Sequence, residues 1–259
     1  MADTTCVVAC RPVAEDTYEL TLSAPEIAGS AQPGQFVHLK APGGRDLLMR
    51  RPISLYTADG GTGTVSFILQ RKGEGTARLC AMKPGDTVDA LGPLGRGFRL
   101  PADVRRAAVV GGGIGVAPLR LALESYREVA FDSFVGFRNA GCAYGLDAFA
   151  ALSHNLFCAS DDGSLGTRGF VTDLLARELD RQPYDLVLAC GPKPMFQALA
   201  RVMERHPDVP CQVSLEERMG CGIGGCYVCS CKIREGDAWH YRRVCKDGPV
   251  FDLREVDWT

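Results

Sequence analysis

Cysteine is the residue whose spacing first suggests chemistry. The chain carries 12 of them, and Cys221, Cys226, Cys229, Cys231 and Cys245 crowd its last stretch. Cys221-x4-Cys226-x2-Cys229, followed by Cys245, has the spacing of plant-type [2Fe–2S] ligation. Gly220, Gly222, Gly224 and Gly225 let such a loop wrap closely, so that backbone amides can point at sulfur. Zinc usually takes two closely spaced Cys pairs, and the later half here offers only Cys245. Zinc and a structural thiol cluster stay open as alternatives. On a strand Cys231 would share a face with Cys229 and compete as a ligand; Cys229 is favoured because it keeps the x2 spacing. The scattered Cys6, Cys10, Cys80, Cys142, Cys158, Cys190 and Cys211 read as small buried hydrophobes. His38, His154, His206 and His240 form no pattern and read as structural or solvated.

Three further motifs suit anions. Arg51-Pro52-Ile53-Ser54 sets a forked guanidinium beside a Pro-fixed turn, a combination fit for phosphate, although a surface Arg would look the same. Gly73-Glu-Gly75-Thr76 follows a strand and reads either as a phosphate nest or as a hairpin turn. Gly111-Gly112-Gly113-Ile-Gly115-Val-Ala-Pro118 follows an apolar strand and opens a helix, so backbone can approach a pyrophosphate at a helix N-terminus. The G-x-G-x-x-G spacing is absent, and so is an acidic residue about 20 positions on. Cys190-Gly191-Pro192 ends another strand. Ligands of open parallel sheets bind beyond the carboxyl ends of strands, so two Gly-bearing strand ends reinforce each other.

The elements that must position these groups divide into three stretches. In residues 1–101, Tyr18–Leu22, Gln35–Leu39, Thr64–Gln70 and Asp86–Leu91 read as short strands, punctuated by Pro-Gly pairs at 33–34, 42–43 and 84–85. They predict a small antiparallel barrel or sandwich. In residues 102–215, strands at 107–110, 133–136, 156–159, 186–189 and 213–215 alternate with helices at 118–126, 146–152, 170–179 and 194–205. That alternation predicts a parallel sheet with helices on both faces. Residues 216–259 are Gly- and Cys-rich with little periodicity, too few to bury much core. Something inorganic is expected to hold them together.

Composition sets the outer limits. The 259 residues are 46% hydrophobic and 23% charged with a net charge of −2, which suits a multidomain globular chain and gives no basic footprint for nucleic acid. No apolar run reaches bilayer-spanning length. Met-Ala-Asp-Thr-Thr has neither the charged nor the apolar region of a signal peptide, so a cytoplasmic location is expected.

Taken together the chain resembles the ferredoxin–NADP reductase superfamily, and more closely the electron-transfer subunits of NAD-linked class 1B dihydroorotate dehydrogenases. The resemblance covers essentially the whole chain. It is carried in order by Arg51–Ser54, Gly73–Thr76, Gly111–Leu119, Asp161–Gly169, Cys190–Met195, Glu216–Cys226 and Val244–Phe251, of which the last two are the specific ones. It implies an FAD-binding β-barrel (1–101), an NAD-binding α/β domain (102–215) and a [2Fe–2S] domain (216–259) ligated by Cys221, Cys226, Cys229 and Cys245. Carried over by residue, Arg51 meets FAD phosphate, Ser54 lies near flavin N5, Ile68, Leu69 and Gln70 flank the flavin, and Gly75 with Thr76 holds the pyrophosphate. Gly111, Gly112, Gly113, Gly115, Pro118, Cys190, Gly191 and Pro192 fall to the nucleotides. Ile53 departs from the Tyr that stacks on the flavin in many relatives, so the flavin face stays unassigned.

The implied activity is an electron relay, from an FMN-containing catalytic subunit through the cluster and FAD to NAD, within a heterotetramer of two copies of each subunit. The pyrimidine chemistry belongs to the partner, and no catalytic residue is assigned here. Two rivals remain: a subunit with the same cofactors from a ferredoxin:NADP oxidoreductase or a sulfide dehydrogenase, and a non-enzymatic zinc or thiol interaction module. Arg138 would suit the 2′-phosphate of NADP or simply be a solvated loop residue; NAD is favoured on the resemblance.

Overall fold

The computed structural model describes residues 3–43 and 47–258. Six strands close a barrel: β1 (Asp3–Ala14), β2 (Thr17–Ser23), β3 (Phe36–Lys40), β4 (Arg51–Asp59), β5 (Thr64–Gln70) and β6 (Thr87–Leu94), in the order β1-β2-β5-β4-β3-β6. The strands form where β-branched and aromatic residues alternate. Leu20, Leu22, Val37, Leu39, Leu55, Val65, Phe67 and Leu69 fill the interior. Two motifs change character. Arg51–Ser54 is the start of β4 and not a turn: Ser54 pairs with Phe36 and Arg51 with Leu39 of β3. The pairing of β4 with β5 begins only at Leu55, so this first part has a free edge, where Pro52 loses no ladder bond. Gly73–Thr76 is not a hairpin turn either. It opens a short helix, Glu74–Cys80, and the Thr76 hydroxyl accepts from the backbone N–H of Gly73 at 3.2 Å.

The second unit is an open sheet. β7 (Arg106–Gly112), β8 (Ala130–Phe137), β9 (Asn155–Ser160), β10 (Thr167–Arg168), β11 (Leu186–Cys190) and β12 (Cys211–Ser214) run parallel in the order β10-β9-β8-β7-β11-β12. Both faces are apolar. Val109, Val135 and Leu188 pack under the helices α1 (Ala117–Ser125) and α2 (Leu146–Leu152), while Ala108, Val110, Val187 and Ala189 face α3 (Val171–Arg181) and α4 (Lys193–Met203). Of the scattered thiols, Cys80 and Cys211 are buried as expected, whereas Cys6 is exposed.

The tail is less independent than its composition suggests. β13 (Ser230–Glu235) and β14 (Ala238–Arg243) form a hairpin across Gly236, whose φ of +60° suits a two-residue turn. Beyond it β15 (Val250–Asp252) adds antiparallel to β12 and so becomes the edge of the large sheet. Ile233, Leu253 and Val256 are buried in that sheet's core, and Trp258 lies 5.2 Å from Phe196. Packing therefore anchors the end of the tail, while the loop between β12 and β13 is held at Leu215, Met219 and Cys229 by a small cluster of its own. Among the described residues, no helix is long and apolar enough to cross a membrane.

At the sheet's amino end, Asp132 is fully buried and accepts from Arg106 at 2.6 Å, Tyr184 at 2.6 Å and Asn155 at 2.8 Å. Burial by itself would raise this carboxyl, but the hydrogen bonds from Tyr184, Arg106 and Asn155 outweigh it and hold the group below the usual Asp range. A depressed carboxyl contributes stability above its unfolded value of about 3.9 and loses it as pH falls through the folded value. Asp132→Ala is expected to cost about 3–5 kcal/mol in urea unfolding at neutral pH, because it strands the Arg106 charge. The difference from the parent chain should shrink in acid below about pH 4.

Candidate functional site

The carboxyl ends of β7 and β11 face the barrel, and two cavities open between them. The larger, about 630 Å³, is bordered by Gly112, Gly113, Gly115, Cys190, Gly191 and Pro192. Its lining also brings in residues that the sequence had not marked for a site, notably Lys72, Phe170, Thr172 and Glu216, and it includes Arg138 and Asp161. The smaller, about 190 Å³, is bordered by Pro52, Ile53, Ser54, Ile68, Gln70, Thr76, Pro118 and, from outside the motifs, Phe36, Leu215 and Pro249. Gly115, Cys190 and Glu216 border both, so the two spaces share a wall.

Some sequence candidates stand apart from these walls. Leu69 points into the barrel core, because strand alternation turns Ile68 and Gln70 to the cleft instead. Gly111 is a packing glycine: a Cβ there would stand 2.8 Å from Val116 Cα. Arg51 lies against Gly75, with Nε and Nη2 each 2.5 Å from where a Gly75 Cβ would be, and its Nη1 donates to the Met49 carbonyl. The missing side chain is what lets a guanidinium lie on that helix. Cys190 sits at the shared wall, and burial and the Glu216 charge push its thiol up to about 12, so it is a neutral hydrogen-bonding group.

The cysteine-rich loop comes down beside the smaller cavity. Its thiols meet as two pairs. The Cys221 N–H donates to Cys226 Sγ at 3.4 Å and the Gly225 N–H to Cys221 Sγ at 3.2 Å. The Cys245 N–H donates to Cys229 Sγ at 3.4 Å. Burial disfavours the Cys221 thiolate, but the amides of Ile223, Cys226 and Gly225 and the Cys226 thiol bring it down to about 6. Donors gathered on a sulfur are what an iron–sulfur ligand set needs. Among the described residues no three His, Cys, Asp or Glu side chains converge on one point. Two pairs suit two irons. Cys231 packs against the cluster that holds the buried Cys229 and Cys245 and lies outside both thiol pairs.

Phe36 links the parts. It borders the smaller cavity and packs on Cys229, Val244 and Cys245. Nothing in its sequence context marked it, since it reads as one more strand hydrophobe. Two positions on, His38 is fully buried, T-shaped to Phe36 with centroids 6.3 Å apart. Burial and the Arg50 charge bring it down to about 4, against the pull of the Cys221 carbonyl, so the ring is neutral near pH 7.

The glycines of the β7 turn divide by what surrounds them. Gly113, at φ +56°, has nothing within 4 Å of a Cβ position and opens to the larger cavity, whereas a Cβ on Gly115 would lie 2.5 Å from the Cys190 carbonyl oxygen. Gly115→Ala is therefore expected to force β7 and β11 apart and to cost about 1–3 kcal/mol in urea unfolding. An unchanged midpoint would show that the turn relaxes freely.

Comparison with known proteins agrees with this geometry. Residues 216–257 match the family model of the iron–sulfur cluster binding domain of dihydroorotate dehydrogenase B. The chain is 49% identical over 256 residues to the electron transfer subunit of dihydroorotate dehydrogenase B (NAD(+)) from Geobacillus kaustophilus, covering 96% of each. It is 38% identical to the subunit of that description from Desulforamulus reducens, covering 97% of each. Among solved structures, a chain of an NADH-dependent reduced ferredoxin–NADP oxidoreductase superposes with a TM-score of 0.87 at 28% identity, over 99% of this chain and 90% of that one. A ferredoxin–NADP+ reductase from Neisseria gonorrhoeae, solved with bound FAD and NADP, shares the fold at 16% identity and a TM-score of 0.67, over 83% of this chain and 99% of that one.

Proposed function

This chain belongs to the family of electron transfer subunits of dihydroorotate dehydrogenase B, and from that premise we propose how its own residues hold the redox groups. As a subunit of an NAD-dependent oxidoreductase it works with a separate catalytic subunit. We assign FAD to the cleft bordered by Ile53, Ser54, Ile68 and Gln70, NAD to the larger cavity around Gly112 and Gly113, and a [2Fe–2S] centre to Cys221, Cys226, Cys229 and Cys245. Residues 1–101, 102–215 and 216–259 take these three roles in turn. When bound, FAD exchanges two electrons with the nicotinamide and single electrons with the iron–sulfur centre, linking dihydroorotate oxidation on the partner's FMN to NAD+ reduction. The observation that carries this reading is the seat of the two thiol pairs: Phe36 touches the Cys229–Cys245 pair on one side and the cleft on the other.

The chain's residues bind, orient and exclude water. Arg51 offers forked donors to a phosphate from its seat on Gly75, beside Thr76. Ser54 and Gln70 supply polar edges in a cleft otherwise walled by Pro52, Ile53, Ile68 and Pro118. The aliphatic Ile53, which borders the cleft, would give a flavin an apolar contact in place of ring stacking. Gly113 leaves room for a pyrophosphate, and Cys190 stands protonated where the two spaces meet. Around the exposed Cys226, the side chains of Leu48, Met49, Ile223, Tyr227 and Val228 are also exposed. We assign this apolar rim to the FMN-containing catalytic subunit, in a complex of two copies of each.

Two experiments test the assignment. Single Cys→Ser changes at 221, 226, 229 and 245 are expected to lose iron and the reduced-cluster electron paramagnetic resonance signal, while NADH oxidation by a dye that draws on FAD survives. Cys231→Ser should keep the signal, and its selective loss there would reassign the ligands. Arg51→Ala is expected to weaken FAD binding roughly tenfold to hundredfold, the worth of a charge-assisted contact. Stoichiometric FAD after dilution and desalting would refute that role.

A further inference from the structure

Strand β3 has two buried faces. Val37 and Leu39 turn into the barrel, and by the two-residue period Phe36 and His38 turn outward onto the tail. Phe36 meets apolar partners there. His38 is fully buried, and neither ring nitrogen completes a hydrogen bond, the Cys221 carbonyl standing near the ring without closing one. Its Nδ1 lies 2.5 Å from where a Cβ on Gly222 would stand, and Gly222, at φ +74°, follows directly on Cys221. The imidazole is thus pressed on the loop that joins Cys221 to Cys226.

A buried polar side chain without a partner is rare and costly, and a Leu would fill the same space without that cost. The one acceptor the chain brings near, the Cys221 carbonyl, closes no bond, so the ring N–H is left open to a further acceptor at the Cys221 end of the loop. A neutral imidazole carries one N–H to donate. Thiolates and inorganic sulfides accept such bonds, and the bonds raise a cluster's reduction potential by stabilising its more negative state.

We propose that His38 is a positioning residue for the iron–sulfur centre, its ring N–H donating to sulfur at the Cys221 end. The inference rests on the cluster reading given above and deepens it, since it gives a barrel strand a part in tuning a centre whose ligands all come from the tail. It also accounts for Gly222, the position where any side chain would displace the ring.

The test compares the parent chain with His38→Leu, which fills the space without a donor, and His38→Asn, which returns an N–H near the place of Nδ1. Iron and FAD are counted in each, and the cluster's midpoint potential is read by electron paramagnetic resonance during reductive titration. The potential should shift downward in His38→Leu and return to the parent value in His38→Asn. Loss of iron in His38→Leu alone, with FAD retained, also supports the role. A parent-like potential in His38→Leu, an equal shift in both variants, or loss of iron or FAD in both overturns it and leaves the ring a packing group. A parent chain that shows no reduced-cluster signal at all refutes the cluster reading itself, and the role with it.

Discussion

The outer face of β3 is the constraint on which the rest of the structure depends. A barrel strand normally buries one face and wets the other, but here Phe36 and His38 are covered by the cysteine loop and by the segment that follows Cys245. That segment is clamped in turn. The Arg96 N–H donates to the Gly248 carbonyl at 2.6 Å and the Leu215 N–H to the Pro249 carbonyl at 2.9 Å. Because Pro249 also borders the smaller cavity, the wall of that cavity and the seat of the thiols are one packed layer. On the proposed assignment, that layer would keep a flavin and an iron–sulfur centre close without joining them.

The same economy governs the shared wall between the cavities. β7 and β11 are hydrogen-bonded neighbours, so their ends rise side by side and Gly111 pairs with Cys190. Gly115 brings the turn after β7 against the Cys190–Gly191 backbone, and this close approach lets one wall border both cavities. The neutral Cys190 thiol fits there because a charged group would have to be desolvated each time both spaces were filled.

The tail illustrates how composition can mislead. Its hairpin buries little besides Ile233, since the side chains of Trp239 and Tyr241 are exposed, and the alternation in Cys231-Lys-Ile233 and Trp239-His-Tyr241 is too short to stand out in a Gly- and Cys-rich stretch. The signal that was present was Gly236-Asp237, a two-residue turn between runs of equal length. The last residues look like an unstructured end, yet Leu253 and Val256 complete a core begun more than a hundred residues earlier. Metal binding is therefore expected to order the cysteine loop rather than the whole tail.

Local chemistry was legible from the chain alone. The thiol spacing, the glycine runs at strand ends and the alternating elements are short-range patterns, and they predicted the barrel, the parallel sheet and most of the motif residues that line the cavities. Facing was not legible. Arg51–Ser54 read as a turn because Pro suits both a turn and a free strand edge, and only the register with β3 decides between them. Leu69 and Gln70 are adjacent in sequence and point to opposite sides of the barrel wall. His38 and Phe36 carry no mark in the sequence, because what distinguishes them is a loop that returns nearly two hundred residues later. The sequence by itself determined which groups can bind sulfur-held iron and phosphate. Tertiary structure alone decided which of them meet, since that depends on contacts between residues far apart in the chain, and such contacts leave no local period to read.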